Sequence, residues 1–160
     1  MLLENNMSRP HPAPLSFPLP VVLDTNVVLD LLVFDDPTTR PLAEALAQGT
    51  LIAWADEETL RELRQVLTLP IFKLDEARQR DVYARYERLV RQTSTAAPGS
   101  VPELPRCRDR DDQKFLLLTA HAGAAWLVSK DKRVLSLADR HGLPFTIFSP
   151  KQAVERLKTA

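Results

Sequence analysis

Apolar residues along this chain fall into two kinds of pattern, short continuous runs and longer stretches in which they recur every three or four positions. Val21, Val22 and Leu23 form a run closed by Asp24, the signature of a strand buried on both faces. Val27 to Phe34 is apolar except for Asp30 and is read as a helix with Thr25 or Asn26 near its cap. Thr38 to Gln48 carries Leu42, Ala45 and Leu46 at helical spacing and stops at Gly49. Leu51 to Trp54 reads as a second strand. Asp56 to Thr68 reads as a helix with Leu60, Leu63 and Leu67 on one face, and Asp75 to Gln92 as a longer one striped by Val82, Tyr86 and Leu89. A short strand is expected at Thr93 to Ala97, followed by a proline-rich loop. Asp109 to Ala122 then predicts a helix, Ala125 to Val128 a strand, Val134 to Ala138 a short helix, Phe145 to Phe148 a strand and Pro150 to Lys158 a closing helix. Strands alternating with helices imply an α/β fold with a mainly parallel sheet covered on both faces.

At 160 residues and 44% hydrophobic, the chain suits one domain with a sizeable core. Met1 to Pro20, which holds Pro10, Pro12, Pro14, Pro18 and Pro20, does not read as a signal peptide. Expected instead is a flexible, dispensable arm over residues 1–20 and a folded domain over 21–160. The uncharged stretch Phe115 to Ser129 falls short of the ~20 residues that span a bilayer, so no membrane role is expected. A single cysteine, Cys107, excludes an internal disulfide framework and a thiolate zinc cage, and fits a reducing cytoplasm. It reads as a loop or packing residue, and Trp54 and Trp126 as core. Lysine plus arginine (21) balance aspartate plus glutamate (21), so a nucleic acid could be held only by a local patch. Arg106, Arg108, Arg110, Lys114, Lys130, Lys132 and Arg133 supply such a patch in sequence.

In an open parallel sheet, ligands bind at the carboxyl ends of the strands, and Asp24 and Asp131 each follow a strand. Asp112, in the first turn of the helix leading into the strand before Asp131, belongs at the same rim, and Glu62 can lean over it. Oxygen donors gathered without cysteine or histidine are hard ligands that favour Mg²⁺ or Mn²⁺. The chemistry suggested is phosphodiester hydrolysis. Each acid also has an ordinary role: Asp24 and Asp131 could cap or turn, Glu62 could be a solvated face, and the helix dipole favours Asp109, Asp111 and Asp112 in any protein.

The segments Val21-Val22-Leu23-Asp24-Thr25-Asn26, Glu62-Leu63-Arg64-Gln65-Val66-Leu67, Cys107 to Leu116 (CRDRDDQKFL) and Gly123 to Asp131 (GAAWLVSKD) occur in that order. In these pieces the chain resembles the PIN-domain nucleases, and among them the bacterial toxin components of toxin–antitoxin pairs. The resemblance implies a three-layer α/β/α sandwich and an acidic catalytic site of Asp24, Glu62, Asp112 and Asp131. It makes Asp24, Asp112 and Asp131 the metal ligands, with Asn26 and Ser129 as polar support. Asp112 fits the family spacing to Gly123 best, with Asp111 and Asp109 behind it. Arg110 and Lys130 stand where the subfamily often has proline and glycine, and could contact phosphate or screen the carboxylates. The implied function is Mg²⁺- or Mn²⁺-dependent hydrolysis of single-stranded RNA by a cytoplasmic toxin, with an antitoxin and a second copy of the chain as partners. The alternative is a non-catalytic module of the same fold that binds RNA or a protein. A haloacid-dehalogenase-type phosphatase would need an acid where Asn26 stands, and a phosphoacceptor receiver domain an acidic pair before its first helix, which is missing.

Overall fold

A computed structural model describes residues 14–160. Its centre is a five-stranded sheet, all parallel, in the order β3-β2-β1-β4-β5. The strands are β1 (Leu19–Leu23), β2 (Leu51–Ala55), β3 (Val90–Gln92), β4 (Trp126–Val128) and β5 (Thr146–Phe148). Seven α-helices accompany them among the described residues: α1 (Thr25–Leu32), α2 (Arg40–Ala47), α3 (Glu57–Leu67), α4 (Glu76–Leu89), α5 (Gln113–His121), α6 (Lys132–Leu135) and α7 (Pro150–Lys158). None is long and apolar enough to cross a membrane.

Side-chain alternation along the central strands builds two cores and hence three layers. Val21 and Leu23 of β1, with Trp126 and Val128 of β4, pack against α1, α2, α3, α4 and α7. Val22 and Leu127 face the other way, onto Phe115, Leu116 and Leu118 of α5 and Val134 of α6. Both faces of β1 are therefore apolar, which is why its run is continuous; each such buried valine or leucine contributes about 1.5–3 kcal/mol. Local signals agree with this frame. The Asp56 carboxylate accepts from the Thr59 amide at 2.8 Å while the Thr59 hydroxyl takes the Asp56 amide at 3.1 Å, a reciprocal cap that starts α3. Gly123, at φ 64°, turns the chain from α5 into β4 in a backbone conformation that side chains rarely adopt.

Several helix ends shift by a few residues, α6 for example to Lys132–Leu135, and three further differences change the picture. β1 opens at Leu19, and the Pro20 carbonyl accepts the Ala125 amide at 2.8 Å, so a proline lies within a strand that loses only one donor by it. Leu15 also packs against the larger core, so the expected arm does not extend to residue 20; residues 1–13 lie outside the described part. The third strand is Val90–Gln92, following α4 without a loop, rather than Thr93 to Ala97. Val90 turns extended at φ −92°, ψ 153°, and Arg91 and Gln92 pair with Trp54 and Ala55 at the sheet edge. Finally, the helix expected from Asp109 is divided into a 3₁₀ turn over Arg110–Asp112 and α5.

Candidate acidic site

The carboxyl ends of β1 and β4 adjoin, because Leu23 registers with Val128 and the Asp24 amide donates to the Val128 carbonyl at 2.9 Å. Asp24 and Ser129, the next residues of the two strands, therefore meet. The Ser129 hydroxyl donates to Asp24 Oδ2 at 2.6 Å and itself accepts the Asp131 amide at 3.1 Å. Asp24 is 5% exposed and Ser129 0%. Asp24 stands at the N-cap position of α1, yet its side chain caps nothing. The capping role that any Asp-Thr-Asn could play is thus not the one it has.

Asp112 is held at the junction of the 3₁₀ turn and α5, again at a cap position without a capping hydrogen bond. Its Oδ2 atom is buried and receives no N–H or O–H. One oxygen each of Asp109, Asp112 and Asp131 lie within 4.8 Å of one another. Asp109, ranked behind Asp112 by spacing, is thus brought to the cluster, whereas Asp111 is exposed beside it. Asp131 and Asp109 do carry local duties: Asp131 accepts the Arg133 amide at 2.8 Å, and Asp109 the Asp111 amide at 3.0 Å. The guanidinium of Arg133 reaches both, at 3.5 and 3.4 Å.

Glu62 arrives from mid-α3 with both oxygens engaged. Oε1 pairs with Lys114 Nζ at 2.7 Å, and Oε2 accepts the Thr25 hydroxyl. Lys130 turns away from the carboxylate cluster to Asp30 of α1, 2.8 Å from its Oδ2. Asn26 is exposed, and its side-chain amide has no protein partner among the described residues. Arg110 is exposed. Sequence reading missed Thr25 and Asp30 as partners. Asp30 carried a signal, being the sole charge in the apolar run of α1.

The electrostatics follow from this crowding. Burial raises the Asp24 carboxyl, opposed by the Ser129 hydrogen bond and assisted by the charges of Glu62 and Asp131. Asp112 is pushed up to about 7, first by burial, then by the charge of Asp24 and by its contacts with Asp131. For Asp131, burial works upward but is outweighed by the Arg133 amide, a hydrogen bond from Asp112 and the Arg133 guanidinium, which hold it below the usual range. When no cation is present, Asp112 is therefore the carboxyl of the pair that holds a proton more readily, and Asp131 the one that stays charged. Burial likewise pushes the Cys107 thiol up, opposed by the Asp109 amide and assisted by the charges of Asp112, Asp131 and Asp109, which disfavours the thiolate a nucleophile needs.

The donor set fits a divalent cation. It consists of carboxylate oxygens, includes a buried oxygen that no protein donor satisfies, and lacks nitrogen and sulfur. The sequence pattern of the PIN domain family matches residues 20–133. The fold is similar to that of a chain in the crystal structure of VapBC2 from Rickettsia felis bound to a DNA fragment from their promoter. That similarity has a TM-score of 0.56 over 81% of this chain and 97% of the other, at 11% sequence identity. No curated protein matches the chain by sequence.

Proposed function

The chain belongs to the PIN-domain family, and on that premise we propose that it is a Mg²⁺- or Mn²⁺-dependent ribonuclease that hydrolyses phosphodiester bonds of single-stranded RNA. The observation that carries this reading is the buried, unsatisfied Asp112 oxygen among the carboxylates of Asp109 and Asp131. Asp24, Asp112 and Asp131 would hold the cation, with Asp109 within reach of the same ion. A cation bound there supplies Lewis acidity, offsetting charge that develops on the phosphate and making a water more acidic. The chain's own residues prepare the site. Ser129 fixes the Asp24 carboxylate and the Asp131 backbone through one hydroxyl. Thr25 and Lys114 fix Glu62, whose carboxylate lies near enough to Asp24 to raise its pKa and can orient a water beside the cluster.

The biological role we propose is that of the toxin in a type II toxin–antitoxin pair acting in the cytoplasm, with an antitoxin protein as partner. The similarity of fold to a chain of the Rickettsia felis VapBC2 complex supports it.

Purified protein incubated with end-labelled single-stranded RNA should cleave it in Mn²⁺ and stop in EDTA. Asp24→Asn should lower the rate roughly 10²–10³-fold, as expected for loss of one preorganised charge. Full activity in EDTA or in Asp24→Asn overturns the mechanism, and tight RNA binding without cleavage under any metal would assign the chain to the non-catalytic alternative.

A further inference from the structure

The basic residues that sequence places around the site are separated by the fold into two groups. Lys114 is paired with Glu62, Lys130 with Asp30, and Arg133 with Asp109 and Asp131. Those charges are committed to protein carboxylates. Arg106, Arg108 and Arg110 make no ion pair among the described residues, and all three are exposed, while Cys107 between them is buried and Asp109 half-buried. The alternation turns three guanidinium groups outward along one short segment and directs Asp109 inward to the acidic cluster. They line a broad groove of about 1180 Å³ together with the apolar Val101, Leu104 and Leu117, against one carboxylate, Glu103. Lys132 is also exposed without an ion pair but does not line this groove.

The arginine segment is tied to the turn that carries Asp112, although no carboxylate of the cluster lines the groove itself. The side chain of Gln113, next to Asp112, accepts the Cys107 amide at 2.7 Å and donates to the Pro105 carbonyl at 3.3 Å. One side chain at the start of α5 thus ties the arginine segment to the same turn that carries Asp112.

We propose that this groove is the track for the RNA phosphate backbone, with Arg106, Arg108 and Arg110 contacting successive phosphates on one side of the acidic cluster and Lys130 contacting none. Charge complementarity and the Gln113 tether to the turn that carries Asp112 favour a polyanion, and the apolar lining offers surface to unpaired bases. A neutral protein can hold RNA this way because three unpaired arginines are concentrated along one short segment. The inference rests on the nuclease reading for its choice of RNA.

The test is binding of a fluorescent single-stranded RNA of mixed sequence to the full chain in EDTA, across a salt series, alongside cleavage in Mn²⁺. The variant Arg106→Gln/Arg108→Gln/Arg110→Gln should bind at least tenfold more weakly. Its plot of log affinity against log salt should be shallower by about 2, since each phosphate contact on a single strand contributes roughly 0.7. The charge-matched control Arg80→Gln/Arg85→Gln/Arg88→Gln, on α4 at the opposite face of the sheet, should keep the wild-type slope. An unchanged slope in the groove variant, an equal loss in the control, or no RNA binding by wild type overturns the track. Loss of binding in the groove variant with no metal-dependent cleavage by wild type would instead retain the track and remove the nuclease reading.

Discussion

Asp112 concentrates the chemistry of the site in one carboxyl group. Its pKa of about 7 means that the folded, metal-free chain keeps a proton that the unfolded chain, near 3.8, has already released. A raised acid pKa costs stability as pH increases: the cost is absent below pH 4 and grows from there to pH 7. Because Asp112 is partly exposed, solvent screening reduces the cost to about 1–2 kcal/mol at neutral pH. Asp112→Asn preserves shape and removes the charge. In EDTA at pH 7.5 it should therefore melt a few degrees above wild type, with the difference closing toward pH 4. Wild type alone should then gain strongly from added Mn²⁺, which stabilises whichever state binds it. A variant that melts lower in EDTA and keeps the full Mn²⁺ gain would make Asp112 a structural residue.

At the scale of elements, legibility follows the range of the interaction that fixes each part. Asp24, Asp112 and Asp131 could be placed from sequence because each ends or begins an element with a strong local pattern, and parallel topology brings those ends to one rim. The ion pair of Lys130 with Asp30 could not, since it joins residues 100 positions apart and depends on β1 lying beside β4. β3 was misplaced for a related reason: Val90–Gln92 is half-buried to exposed, so no apolar run marks it, and pairing with β2 alone makes it a strand. The start of β1 was hidden by Pro20, whose missing amide argues against a strand until the opposite edge is seen to supply the bonds. This revises what truncation should do. Removing residues 1–17 deletes Leu15, which packs against the larger core, and should lower the melting temperature relative to removing residues 1–13. The cost should be about 1–2 kcal/mol for one partly buried leucine and its neighbours, read by thermal melting. Equal melting of the two truncations would show that residues 14–17 contribute nothing to the core.

Over the whole molecule, the fold converts a balanced composition into a polarised rim. The formal net charge is zero, yet acids that follow β1, lie at the 3₁₀ turn and follow β4 gather at one rim, and the arginines next to them are left without ion-pair partners. The two cores hold this rim from both sides: α1 and α3 carry Thr25 and Glu62 from one face, and α5 carries Lys114 and Gln113 from the other. The central claim, that the acidic cluster is a metal site, is tested most directly by crystals grown or soaked in Mn²⁺ and measured for anomalous scattering. A peak within bonding distance of Asp112 Oδ2 and of an Asp131 oxygen, with Asp24 or Asp109 completing the set, is the result expected. Well-ordered carboxylates with no anomalous peak between them at millimolar Mn²⁺ would contradict it.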